Sequence, residues 1–88
     1  MRARHHVEVL IPAVGIKGSL PESLSPVREG KYLAVLLPPG QSLMDTLRAH
    51  RIRLQQPAAA VINGCSADLQ QTLQPGDRVR LLLQIAGG

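Results

Sequence analysis

The sequence predicts an α+β domain in which one helix covers one face of a single mixed sheet. Three observations predict it. Period-two alternation of apolar residues occurs near both ends of the chain, at 7–11 and 78–85, and such alternation marks half-buried strands. Only one stretch, beginning at Ser42, combines a capping residue with apolar side chains at helical spacing. Short turn motifs, Asn63-Gly64 and Pro75-Gly76-Asp77, divide the second half of the chain. A lone helix covers one face of one sheet, which gives two layers around one core.

Eighty-eight residues suffice for one such core and not for two. Val, Ile and Leu number 26, and only 18% of residues are charged, a balance that argues against a disordered chain. The first strand is expected at Val7-Glu8-Val9-Leu10-Ile11, with Val7, Val9 and Ile11 on one face, and Pro12 ends it because proline donates nothing to a ladder. Residues 12–30 contain Gly15, Gly18, Pro21, Pro26 and Gly30 and read as a long loop, with room for a short strand near Val14-Gly15-Ile16. A second strand is expected over Lys31–Leu37, stopped by Pro38-Pro39-Gly40.

Ser42 is expected to cap the helix by accepting from the backbone amide of Asp45. The helix should run from Leu43 to about Arg51, with Leu43, Met44 and Leu47 making its apolar side. Ala58–Ile62 would suit a helix by alanine content, but Pro57 before it and Asn63-Gly64 after it favour a short buried strand. Asn-Gly accepts the positive φ values of a tight hairpin, so Cys65 to about Leu69 should return as its partner. Gln70–Gln74 is a connector. In the last strand Val79, Leu81, Leu83 and Ile85 share one face, and Arg78, Arg80, Leu82 and Gln84 the other. The first and last strands are the most apolar and are expected at the centre. This order, with four to five strands and one main helix, is the β-grasp architecture.

Composition narrows the function classes. Ten Lys and Arg against six Asp and Glu give a net charge of +4, which invites nucleic acid as a partner. The bases are scattered, however, and Tyr32 is the sole aromatic, so no platform for stacking bases exists and nucleic acid is not expected. Cys65 is the single cysteine and forms no internal disulfide. No apolar run approaches the ~20 residues of a membrane helix, and no apolar segment follows the charged start Met1–His6, so neither membrane association nor secretion is expected. A cytoplasmic, reducing setting fits this composition.

The remaining feature is the end, Ala86-Gly87-Gly88. Two glycines contribute nothing to a core, and a fraying terminus explains them structurally. They also suit one kind of chemistry. A carboxylate is a poor electrophile until it is coupled to AMP, and residues without side chains thread the narrow site where that coupling occurs.

The segments Val61-Ile62-Asn63-Gly64, Leu73-Gln74-Pro75-Gly76-Asp77-Arg78-Val79 and Leu83-Gln84-Ile85-Ala86-Gly87-Gly88, with Leu37-Pro38-Pro39-Gly40-Gln41-Ser42-Leu43 before them, resemble the ubiquitin-like small sulfur carriers of the ThiS/MoaD family. The resemblance covers residues 31–88, with 7–11 as the family's first strand. It implies a carrier rather than an enzyme. Gly88 would be adenylated, with ATP, by a ubiquitin-activating-like adenylyltransferase, and a sulfur donor protein would convert it to a thiocarboxylate. Gly87 and Ala86 would thread the partner's site, and thiazole synthase or the molybdopterin synthase large subunit would take the sulfur. The 12–30 segment is longer than the first hairpin of the thiamin carriers, and the basic balance departs from acidic members of the family.

Leu82, between Arg80 and Gln84, faces away from the expected core. Leu82, Ile85 and Arg80 are therefore the expected docking residues for a partner that engages the tail. A ubiquitin-like modifier or a plain interaction module is the alternative, with a basic nucleic-acid-binding domain behind both. Cys65, His5, His6 and His50 have no partners in sequence that would make a nucleophile or a metal site. No Ser/His/Asp set, phosphate loop or carboxylate pair occurs.

Overall fold

The computed structural model describes residues 6–55 and 58–83. Its strands are β1 (Val7–Pro12), β2 (Val27–Glu29), β3 (Tyr32–Leu37), β4 (Ala58–Ile62), β5 (Cys65–Ala67) and β6 (Arg78–Leu83), and its one α-helix is α1 (Leu43–Ala49). They form an α+β fold: a six-stranded mixed sheet in the order β2-β3-β1-β6-β4-β5. The first and last strands occupy the centre, as their apolar content requires, and pair in parallel, with Val9 opposite Val79. Every other ladder is antiparallel.

The inner face is continuous. Val35, Val9, Val79 and Ile62 lie opposite one another across β3, β1, β6 and β4, and all four are buried with Leu43 and Leu47 of α1. Leu73, from the connector before β6, is equally buried. Its segment completes the helix end as well. The amides of Leu43 and Met44, which have no partner inside the helix, donate to the carbonyls of Gln71 and Leu69 at 3.0 and 2.9 Å. The expected Ser42 cap is present, its Oγ accepting from the Asp45 amide at 3.1 Å.

The helix ends at Ala49, two residues before the expected limit. Arg51 adopts a left-handed φ of 59°. Its amide bonds the Arg48 carbonyl at 3.1 Å, and the Ile52 amide bonds the Leu47 carbonyl at 2.9 Å. This is the Schellman arrangement, with an arginine where glycine is usual. It turns Ile52 back into the core beside Leu47, which outweighs the backbone cost at Arg51.

The sheet has six strands, more than the four to five expected, because residues 12–30 are not a plain loop. Pro12 is the last residue of β1. Short 3₁₀ turns follow at Ala13–Gly15 and Glu22–Leu24, and β2 adds an edge strand in which Val27, Arg28 and Glu29 oppose Ala34, Leu33 and Tyr32. The expected strand at Val14-Gly15-Ile16 is instead the first 3₁₀ turn followed by a single bridge between Ile16 and Leu54. β5 stops at Ala67 rather than Leu69. There the Asp68 carboxylate accepts from the Gln70 amide at 2.9 Å and bends the chain.

Two substitutions test this packing. Leu81→Ala, at a fully buried position in the middle of β6, should destabilise the protein by about 2–5 kcal/mol through lost burial and an uncollapsed cavity. Arg51→Gly should do the opposite and stabilise by about 0.5–1 kcal/mol, since glycine takes the left-handed conformation without a Cβ penalty. Urea unfolding of both variants reads the two signs.

Candidate functional site

α1 packs on one face of the sheet, and the opposite face is where the exposed apolar side chains collect. One row crosses all six strands on that face: Val27, Ala34, Leu10, Arg80, Val61 and Ser66, each opposite the next in register. Arg80 thus stands between Leu10 and Val61 on the two central strands and β4. In the neighbouring row Arg78 lies opposite Glu8, and its Nε meets Glu8 Oε1 at 2.9 Å. Both partners reach water, so this pair orients Arg78 more than it stabilises the fold.

Among the described residues, the exposed large apolar ones are Val14 (82%), Val27 (60%), Leu36 (55%) and Leu82 (37%). Val27, Leu36 and Leu82 project from β2, β3 and β6 on the helix-free face, and Val14 adjoins it from the 3₁₀ turn. Leu82 and Arg80 are therefore exposed on the side the alternation assigned to them, while Val79 and Leu81, which alternate with them, are buried. Ile85, Ala86, Gly87 and Gly88 lie outside the described residues. Nothing in the sequence marks Val14, Val27 or Leu36 as surface residues. Leu36 sits in an unbroken apolar run, where periodicity gives no sign of facing, and Val14 and Val27 sit in the 12–30 segment, whose glycines and prolines interrupt any periodicity.

The end of β6 is tightly positioned. A Cβ on Gly15 would lie 2.6 Å from both Leu83 methyl carbons and 3.0 Å from Leu83 Cγ, so the backbone of the Ala13–Gly15 turn rests directly against Leu83. That turn is itself tied down. The Ala13 amide bonds the Lys31 carbonyl at 2.9 Å, the Gln55 amide bonds the Gly15 carbonyl at 2.8 Å, and the Lys17 amide bonds the Arg53 carbonyl at 2.8 Å.

The start of β6 is held by a polar clasp made of the turn motifs. Asn63 and Gly64 take φ values of 53° and 85°, the primed hairpin geometry this dipeptide favours. Asn63 Nδ2 donates to Asp77 Oδ1 at 2.9 Å, Asn63 Oδ1 accepts from the Arg78 amide at 3.0 Å, and Asp77 Oδ2 accepts from the Gln74 amide at 2.9 Å. The Asp77 amide closes the Pro75-Gly76 turn on the Gln74 carbonyl at 3.1 Å, with Gly76 at φ 85°. The clasp joins two turns far apart in sequence, and it lies at the end of β6 remote from the tail.

The other candidates take plain positions. Cys65 is exposed at the start of the edge strand β5. His50 caps the helix C-terminus, with Nδ1 2.9 Å from the Thr46 carbonyl. Among the described residues no three His, Cys, Asp or Glu side chains come together as a metal site would require, and no helix is long and apolar enough to cross a membrane. Comparison of the chain with protein-family models, with curated proteins and with solved structures finds no match.

These placements separate scaffold from surface. Asp77→Ala removes two acceptors from the clasp and should cost about 1–3 kcal/mol, whereas Arg80→Ala, at an exposed site, should stay within about 0.5 kcal/mol of the parent. Gly15→Ala should displace Leu83 and shift the amide resonances of Leu82 and Leu83 in a ¹⁵N-correlated spectrum. A spectrum unchanged at those two residues would show that the turn does not position the strand end.

Proposed function

We propose that the chain is a cytoplasmic sulfur carrier with the β-grasp fold, acting through the carboxylate of Gly88. The observation that carries this reading is the conjunction at β6. A central, well-anchored strand leads into Ala86-Gly87-Gly88, beside a sheet face left uncovered with apolar and basic side chains. The parallel pairing of the first and last strands and the single helix support the β-grasp assignment. The clasp gives the Asn63-Gly64 and Gly76-Asp77 motifs a shared structural reason.

In this reading an oxygen of the Gly88 carboxylate attacks the α-phosphorus of ATP in a partner adenylyltransferase, and pyrophosphate leaves. The acyl adenylate has a good leaving group where the carboxylate had oxide. A hydrosulfide-equivalent from a sulfur donor protein attacks the acyl carbon, AMP departs, and a thiocarboxylate remains. The carrier supplies no acid or base to these steps. It presents an unhindered acyl carbon, with Gly87 and Ala86 narrow enough to follow it into the partner, and Leu82, Arg80 and Ile85 contact that partner. The thiocarboxylate then donates sulfur to thiazole synthase or to the molybdopterin synthase large subunit.

Intact-mass measurement tests this directly. Incubation with an activating enzyme of this type, ATP and a sulfur donor should add the mass difference between sulfur and oxygen, and deletion of Gly88 should abolish the gain. Persistent absence of that gain in the parent chain would overturn the reading. Conjugates joined to lysine amines would instead mark a ubiquitin-like modifier.

A further inference from the structure

A groove of about 500 Å³ lies where β6 ends. Val14, Tyr32, Leu82 and Leu83 give it an apolar lining, and Arg28 and Lys31 are its basic residues. We propose that this groove docks an acidic segment with apolar anchors, belonging to the enzyme that acts on Gly88. The partner's identity rests on the sulfur-carrier reading, whereas the groove's charge and apolar character are those of its own residues.

Charge is the first argument. Among the described residues, no acidic side chain lines the groove. Glu29, on the same edge strand as Arg28, belongs to a separate hollow with Glu8 and Leu36. Arg28 and Lys31 are both exposed, so their charge is open to a partner, and complementary carboxylates would steer and orient its approach.

Preorganisation is the second. Val14 is the most exposed large apolar residue described, yet the turn that carries it is fixed by hydrogen bonds from Ala13 to Lys31 and from Gln55 to Gly15. A valine held outward on a rigid turn loses little freedom on binding, which favours its use as an anchor. Leu82 offers a second apolar contact across the groove.

Continuity is the third. Gly88 lies five residues beyond Leu83, a span of about 17 Å at full extension. An enzyme that encloses the Gly88 carbonyl must lie within that reach of Leu83, which itself lines the groove. The 13–31 segment therefore supplies contacts to the same partner that the tail enters. An oligonucleotide fits less well, because the lining is apolar and Tyr32 is the one aromatic ring.

The test compares the full-length chain with Arg28→Glu/Lys31→Glu, Val14→Asp, a Gly88 deletion, and Arg48→Glu as a charge control on the helix. Binding to the activating enzyme should weaken about tenfold or more in the first two variants and stay within about twofold in the control. The Gly88 deletion should keep the groove's contribution while losing the mass gain. Thiocarboxylate formed at the parental rate and affinity by the groove variants would overturn the docking proposal and leave the carrier reading standing. Should the parent show no mass gain, the groove is probed independently with a capped peptide of alternating glutamate and leucine. Salt-sensitive shifts at Val14, Arg28, Lys31 and Leu82 would support the groove. Absence of those shifts, or tighter binding of a single-stranded oligonucleotide at the same residues, would overturn it.

Discussion

The parallel pairing of β1 with β6 is the constraint on which the rest of the structure depends. Parallel neighbours cannot be joined by a hairpin, so the 65 residues from Ala13 to Asp77 must all serve as the crossover between them. α1 lies on one face because the crossover must pass over the sheet. β3 and β4 flank the central pair on opposite sides, and their partners become edges. The same pairing sets β6 alongside β1, so its end meets the Ala13–Gly15 turn that immediately follows β1. Where the tail begins is thus a consequence of the sheet's central register.

The clasp shows how such a register is locked. β6 enters the sheet immediately after the Pro75-Gly76 turn, and β4 leaves it at Asn63. If β6 slipped by one residue, Val79 and Leu81 would face solvent and Arg80 the core. Asn63 and Asp77 oppose that slip with side-chain bonds across the two turns, while the Glu8 amide bonds the Asp77 carbonyl at 3.0 Å and the Gly76 amide bonds the His6 carbonyl at 3.0 Å. Both sheet neighbours of β6 are therefore indexed at one end. The Asn-Gly and Gly-Asp motifs act through strand alignment, which is a reason for them independent of any tail chemistry.

Local backbone chemistry was the part of the fold most legible in the sequence. Asn63-Gly64, Pro75-Gly76 and Ser42 each announce a specific conformation or hydrogen bond, and each is found in it. Alternation sufficed for β1 and β6 and for the outward facing of Leu82 and Arg80. Elements that owe their existence to distant partners were not legible. β2 has three exposed residues of mixed character and forms because β3 offers an unpaired edge. The end of α1 at Ala49 depends on burial of Ile52, and the left-handed Arg51 carries no local signal such as glycine would give. Of the candidate site, β6 was readable, whereas Val14 and Val27 became surface features only once residues 13–31 were folded against the sheet.

An uncovered apolar sheet face invites self-association unless something opposes it, and the opposition here is built into geometry and charge. Both edge strands are three residues long, which offers few backbone groups for pairing with another chain. Pro26 immediately precedes β2, and lacking an amide hydrogen it cannot extend that edge as a donor. Arg80 interrupts the apolar row at its centre, between Leu10 and Val61, so a second copy packed flat on this face would have to desolvate a charge. A partner with carboxylates at the matching position meets the opposite sign. The short edges and the central charge thus count against self-association, while Leu82 stays exposed and Leu10 and Val61 partly so.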